Sequence, residues 1–259
     1  MLNPKKLILL AVFISYAYSS DNTVTYGGQT YKTVKIGEQV WFAENLNYKA
    51  EGSKCYGEKG KVIVGGDAVA GLSYSGLSVV PITKILPDNE VQANCAKYGR
   101  LYNWETAMKV CPKGWHLPSN EDWEKLFRFV DGNTGSRYKE ILNTYDSPTA
   151  GKHLKTASGW QSSRESKSWS LYEDQNNGTD DYGFSALPGG EGNDKYHTFD
   201  WVGEQGKWWS ASIRRHRNID GHYSKDVYHL GTGNIDGFLW HISGYPDNIS
   251  LYSVRCVQD

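Results

Sequence analysis

"CPKGWHLPSNEDWEKLF", Cys111 to Phe127, is the stretch on which the reading of this chain turns. Its second half has helical periodicity: Trp123, Leu126 and Phe127, followed by Val130, recur at i, i+3, i+4 and i+7. Ser119 stands three residues before Asp122, the spacing of a capped helix start, and Asp131-Gly132 marks the end. Its first half carries a cysteine, the Pro112-x-Gly114 break and Trp115-His116-Leu117, which reads as a brief extended link or strand. Such a cluster is either a reactive centre or the hinge of a fold, and the flanking chain has to decide between them.

Just upstream, Leu101 to Lys109 reads as a short amphipathic helix with Leu101, Trp104, Ala107 and Met108 on one face. Helical rise then holds Cys95 and Cys111 beyond the roughly 7 Å that a disulfide spans. At the amino end, Lys5 and Lys6 precede an apolar run from Leu7 to Ala17 and the small-residue step Ala17-Tyr18-Ser19. This reads as a signal peptide over residues 1–20, since the run falls short of the roughly 20 residues of a spanning helix. An exported chain with four cysteines, Cys55, Cys95, Cys111 and Cys256, is expected to hold two disulfides. Two pairings remain open at this point: Cys55 with Cys95 and Cys111 with Cys256, or the crossed alternative.

Loss of Lys5 and Lys6 moves the formal charge from −1 to −3. That balance favours neither nucleic acid nor an anionic membrane, and no further apolar stretch spans a bilayer. The expected location is outside the cell, secreted or at the surface.

From Thr23 to Tyr48, β-branched and aromatic residues alternate with polar ones and break at Gly27-Gly28 and Gly37-Glu38, the pattern of a small β-meander. Residues 55–95 read as an insertion of loops with one hairpin, low in charge and therefore packed. Beyond Gly132 the chain is polar, Gly-rich and aromatic for a long way, and strands return in "GKWWSASIR", "KDVYHL", "FLWHIS" and "LYSVRCVQD". A long irregular middle within a compact domain is the expected working surface.

Five separated blocks, "YKTVKIGEQVWFAENLNY", "CAKYGRLYNWETAMKVCPKGWHLPSNEDWEKL", "DDYGFSALPGG", "GKWWSAS" and "SVRCVQD", closely resemble the Fibrobacter succinogenes major paralogous domain, in order from Tyr26 to Asp259. The span from Val62 to Leu86 is longer than that family's usual spacing. More distantly, the order of elements is similar to C-type lectin-like and formylglycine-generating enzyme (sulfatase-modifying factor) domains. That resemblance implies an α+β, C-type lectin-like fold with two short helices, small antiparallel sheets and long irregular loops, preceded by the meander. It divides the chain into residues 1–20, a meander at 21–54, a disulfide-closed insertion at 55–95 and a lectin-like core at 96–259, with 21–259 forming one paralogous domain. It also implies the pairings Cys111 with Cys256 and Cys55 with Cys95. Under it the opening stretch anchors chain ends and caps a helix, and His116 does no chemistry.

Ten tryptophans and eighteen tyrosines supply flat apolar faces that cover sugar CH groups, and Trp169, Tyr172, Trp201 and Trp240 in or near the loop-rich part are the chosen ligand contacts. Trp41, Trp104, Trp115 and Trp123 sit at periodic positions and are assigned to the core. "DQNNGTDD" sets Asp174, Asn176, Gly178, Asp180 and Asp181 in a partial calcium array, with Asp174, Asn176, Asp180 and Asp181 as ligands; Ser185 stands where an EF-hand needs glutamate. The lectin sugar signatures Glu-Pro-Asn, Gln-Pro-Asp and Trp-Asn-Asp are absent. No catalytic residue is assigned. Cys256 lacks a neighbouring thiol, His216, His222 and His229 are spaced too widely for one helix face, and Asp180 with Glu191 is a weak glycosidase pair. Arg214 to Arg217 is a local basic patch. The expectation is a non-catalytic, exported binding or adhesion domain for extracellular or plant-wall polysaccharide, with a structural or protein-binding surface role as the alternative and a degenerate oxidase or hydrolase relative as the third.

Overall fold

The computed structural model describes residues 22–65, 81–132, 137–139, 144–161, 177–217, 222–233, 239–244 and 249–259. The proposed signal peptide lies outside them. The meander is present: β1 (Thr23–Tyr26), β2 (Gln29–Ile36) and β3 (Gln39–Phe42) pair antiparallel across the two glycine turns. Then come β4 (Ser53–Lys54), β5 (Lys61–Gly65) and β6 (Ile82–Lys84), with β5 and β6 forming the expected hairpin.

Two elements depart from the sequence reading. Helix α1 (Asp88–Tyr98) occupies part of the supposed loop insertion. It buries only Val91, Cys95 and Tyr98, a narrow stripe without Leu or Ile, and Pro87 at its start offers no side-chain cap, so neither periodicity nor capping announces it. The second departure is the predicted helix at Leu101–Lys109, which resolves into β7 (Leu101–Tyr102) and the single turn α2 (Trp104–Ala107). Leu101 and Tyr102 are drawn into strand because they pair with β4 and with the carboxyl-terminal chain, while Asn103 accepts the N–H of Thr106 to start α2. The opening stretch becomes β8 (Trp115–His116) and α3 (Asn120–Val130). After these come β9 (Arg137–Lys139), β10 (Thr144–Asp146), α4 (Ala150–Leu154), β11 (Glu191–Asn193), β12 (Thr198–Asp200), β13 (Gly206–Arg217), β14 (Tyr223–Thr232), β15 (Leu239–Gly244), β16 (Ser250–Ser253) and β17 (Val257–Gln258). Four helices rather than two therefore lie among the described residues, none long and apolar enough to cross a membrane.

The smaller sheets are antiparallel as expected, and among the described residues only the largest is mixed. One runs β1-β2-β3-β17-β8, so the last strand joins the meander to the hinge; a larger one runs β15-β14-β13-β16-β11-β12-β5-β6. β13 lies parallel to β16, and β12 parallel to β5. The class is α+β with small sheets. Consecutive Trp208 and Trp209 on β13 are fully buried and point to opposite faces, as strand geometry requires. Trp208 packs with Trp41, Trp123, Phe127 and Phe184, and Trp209 with Phe42, Tyr102, Trp104 and Val254. Trp41, Trp104 and Trp123 are core as expected, and Trp115 is half-buried.

Both expected disulfides form, Cys55–Cys95 and Cys111–Cys256, with Cα atoms 5.0 and 5.9 Å apart. The helix start at Ser119 is a capping box: Ser119 Oγ accepts the N–H of Asp122, and the Ser119 N–H donates to Asp122 Oδ2 at 2.9 Å. His116 lies beside the same cap, Nε2 at 3.3 Å from Asp122 Oδ2 and Nδ1 at 2.7 Å from Asp259 Oδ1, tying the helix start to the chain end. Burial raises the pKa of Asp122, but hydrogen bonds from Ser119 and the neighbouring His116 outweigh it and hold the carboxyl below its ordinary 3.8. A depressed acid stabilises the fold above its unfolded pKa, and that contribution is lost as pH falls through the lower folded value. Asp122→Asn is expected to cost about 1 kcal/mol at neutral pH and to flatten the loss of stability below about pH 4. Thermal melts between neutral and strongly acidic buffer read this directly; an unaltered acid limb would assign the effect to other carboxylates.

Candidate functional site

A cleft of about 560 Å³ opens between the meander and α2. Tyr26 at the end of β1 and Tyr48 beyond β3 form its aromatic wall, their ring centroids 4.6 Å apart and tilted by 36°. The wall depends on Gly27, whose φ is +58°: a Cβ there would lie 2.3 Å from the Tyr48 ring, so only glycine lets that ring rest on the turn. Tyr102 Oη donates to the Tyr48 carbonyl at 2.7 Å, and the Asn47 N–H donates to Tyr31 Oη at 3.2 Å, so the backbone carrying Tyr48 is fixed from below. Burial first, and the neighbouring Tyr48 second, push the Tyr26 phenol up from its ordinary value.

The opposite wall is polar. Thr106 Oγ1 donates to the Glu51 carbonyl at 2.7 Å, and the Asn103 N–H donates to the Gly52 carbonyl at 3.0 Å, pinning the loop to α2. Glu51, Glu105 and Lys109 line the cleft together with Asp194, which is paired to Lys54. With that pair neutral, the lining carries two carboxylates against one ammonium. An aromatic wall facing carboxylate, amide and hydroxyl groups is suited to an uncharged polyhydroxylated ligand: the rings cover CH faces while the acids accept hydroxyl protons.

The sequence-chosen residues fall elsewhere. Trp169, Tyr172, Asp174 and Asn176 lie outside the described residues. Trp240 is on β15, opposite Leu230 of β14. Trp201 is half-buried in a tight turn after β12, with φ of +64°; its N–H donates to Asp200 Oδ1 at 2.8 Å and its carbonyl accepts the N–H groups of Glu204 and Gln205.

Of the proposed calcium ligands, both oxygens of Asp180 accept from Ser185, one from the N–H and one from the hydroxyl, each at 2.7 Å. Asp181 instead takes His153 Nδ1 at 2.6 Å. The two described members of that array thus meet different partners, and no group of three or more metal-holding His, Cys, Asp or Glu occurs among the described residues. Asp180 also closes a loop. Glu191, its imagined glycosidase partner, pairs with Lys207, and His216 sits 3.2 Å from Asp226 in a cluster with Arg214.

Tyr26 and Tyr48 escaped the sequence reading because strand-like alternation in the meander assigns its aromatics to a core. The adjoining Gly27-Gly28 turn was an available signal for Tyr26 alone; Tyr48 comes from a distant part of the sequence.

A family model described as the Fibrobacter succinogenes major domain matches residues 34–258. No curated relative and no solved structure matches the chain.

Proposed function

We propose, on the premise that this chain belongs to the Fibrobacter succinogenes major domain family, that it is an exported, non-catalytic module that binds neutral polysaccharide along the Tyr26–Tyr48 cleft. The observation that carries this reading is the aromatic pair, 4.6 Å apart, facing Glu51, Asn103, Glu105 and Thr106 across about 560 Å³. Export is supported by the amino-terminal apolar run and by four cysteines that all pair in disulfides, the usage of an oxidising compartment. A C-type lectin-like arrangement belongs to the same proposal. Its support is the bridge from the hinge to the carboxyl-terminal strand and the insertion of β17 between β3 and β8. The thiol chemistry of formylglycine-generating enzymes has no unpaired cysteine to use.

Titration of the chain with neutral β-linked oligosaccharides such as cello- and xylo-hexaose tests the assignment. Tyr26→Ala and Tyr48→Ala are each expected to weaken binding about tenfold, a loss of about 1.4 kcal/mol, and Glu105→Gln by less. Affinity unchanged in both tyrosine variants, with melts showing them folded, would remove the cleft from the function. Capture of a protein partner with no glycan binding would favour the adhesive alternative.

A further inference from the structure

A second cleft, of about 620 Å³, opens where β5 runs beside β12, and nothing in the reading above uses it. Three features coincide there. Large apolar side chains that line it stay in water: Ile85 and Tyr196 are 76% and 65% exposed. Cations flank the aromatic face: Lys59 and Lys61 line the cleft beside His197, and Lys195 Nζ sits 5.3 Å from the Tyr196 ring centroid. The acids next to these residues in sequence are already engaged, Glu58 with Arg100 at 2.7 Å and Asp194 with Lys54.

The third feature is backbone conformation. Lys59 and His197 adopt φ of +52° and +50°, a region that non-glycine residues seldom enter and that costs of order 1–3 kcal/mol where it is imposed. They are held by direct approach of the two chains: the Lys61 N–H donates to the His197 carbonyl at 2.8 Å, and a Cβ on Gly60 would stand 2.6 Å from that same oxygen. The result is a tight corner that brings Lys59, Lys61 and His197 to one edge.

We infer that this cleft binds a uronic-acid polysaccharide. The exposed Tyr196 ring covers the CH face of one sugar, and Lys59 and Lys61, point charges on flexible stems, pair with its carboxylates. A uronan carries one negative charge per ring, which matches a single ring-sized face flanked by cations. The inference adds a second, charge-selective site and does not depend on the Tyr26–Tyr48 cleft.

Calorimetric titration of the full chain at low salt compares three probes: unesterified oligogalacturonate, its fully methyl-esterified form, and a sulfated oligosaccharide of equal length. The acid form is expected to bind, the ester to bind at least tenfold more weakly, and the affinity for the acid to fall steeply with salt. Tyr196→Ala and the double variant Lys59→Gln/Lys61→Gln should each reduce it about tenfold, with melting temperature held because all three side chains are exposed. Equal binding of acid and ester, binding of the sulfated probe alone, no binding of the acid form, or indifference to these substitutions would each overturn the proposal. Tyr26→Ala should leave oligogalacturonate binding intact while weakening neutral-oligosaccharide binding about tenfold, so failure at one cleft is distinguishable from failure at the other.

Discussion

Replacing Cys111 and Cys256 together by alanine is expected to lower the free energy of unfolding by about 5 kcal/mol, the largest single loss in this chain. The bridge spans 145 residues, and closing so long a loop removes the most entropy from the unfolded chain. Its release acts on the native state too. Cys256 is fully buried among Phe42, Leu117 and Val254, and it leads into β17, whose pairing to β3 and β8 joins the meander to the hinge. The shorter Cys55–Cys95 bridge spans 40 residues and is worth about 4 kcal/mol on the same model. Urea unfolding of the two double variants measures both, and a loss under about 1 kcal/mol for Cys111/Cys256 would show that strand pairing alone holds the chain end.

Arg255→Met is expected to cost about 4 kcal/mol, although it replaces one long side chain by another and, among the described residues, no carboxylate touches the guanidinium. Arg255 is completely buried, and burial pulls its pKa down to about 9, partly offset by attraction to Asp180 and Glu44, so it remains charged at neutral pH. The charge is tolerated because its donors are spent on oxygens from two separated stretches of the chain. Nη1 donates to the carbonyls of Phe42 (3.2 Å) and Phe184, and Nη2 donates to Asn45 Oδ1 (2.9 Å) and the Ser185 carbonyl (3.2 Å). Its plane lies 4.4 Å from the centroid of the Phe184 ring. Asn45 completes the hub: its Oδ1 accepts Trp208 Nε1 at 2.9 Å, and its amide donates to the Tyr98 carbonyl at 2.9 Å and to Ser253 Oγ at 3.3 Å. Methionine would remove the donor from the Phe42, Phe184 and Ser185 carbonyls, each at about 1–3 kcal/mol before relaxation, while Asn45 Oδ1 keeps Trp208 Nε1. Arg255→Lys keeps the charge but not the fork, and most of the loss should persist. Chemical denaturation of both variants decides the matter; a cost below about 1 kcal/mol would mean that water replaces the guanidinium.

The same hub shows how far the sequence could be read. "ENLNY", "DDYGFSALPGG", "GKWWSAS" and "SVRCVQD" were visible as blocks with a family resemblance, yet nothing in their local pattern says that Asn45, Phe184, Trp208 and Arg255 meet. Asp180, read from its Asp-Asn-Gly surroundings as a calcium ligand, accepts from Ser185 and so holds the loop that delivers the Phe184 and Ser185 carbonyls to Arg255. That link to Arg255 is carried by the fold and not by the composition of the turn.

The two clefts were less legible than the fold. Tyr26, Tyr48, Glu105 and Asp194 come from four separated places, and Lys59 and His197 from two more, so no spacing rule joins them.

Elements whose stability is written in adjacent residues were settled by the sequence itself: the capped, four-residue apolar stripe of α3, the glycine-broken meander and the family membership that its blocks carry. Elements too short to hold themselves were settled by their partners, among them the two-residue strands β7, β8 and β17, the weakly amphipathic α1 and the parallel pairs β13/β16 and β12/β5. A two-residue strand has no hydrophobic period to display and gains its hydrogen bonds only when a distant segment arrives beside it, which is why both clefts exist only in the folded chain.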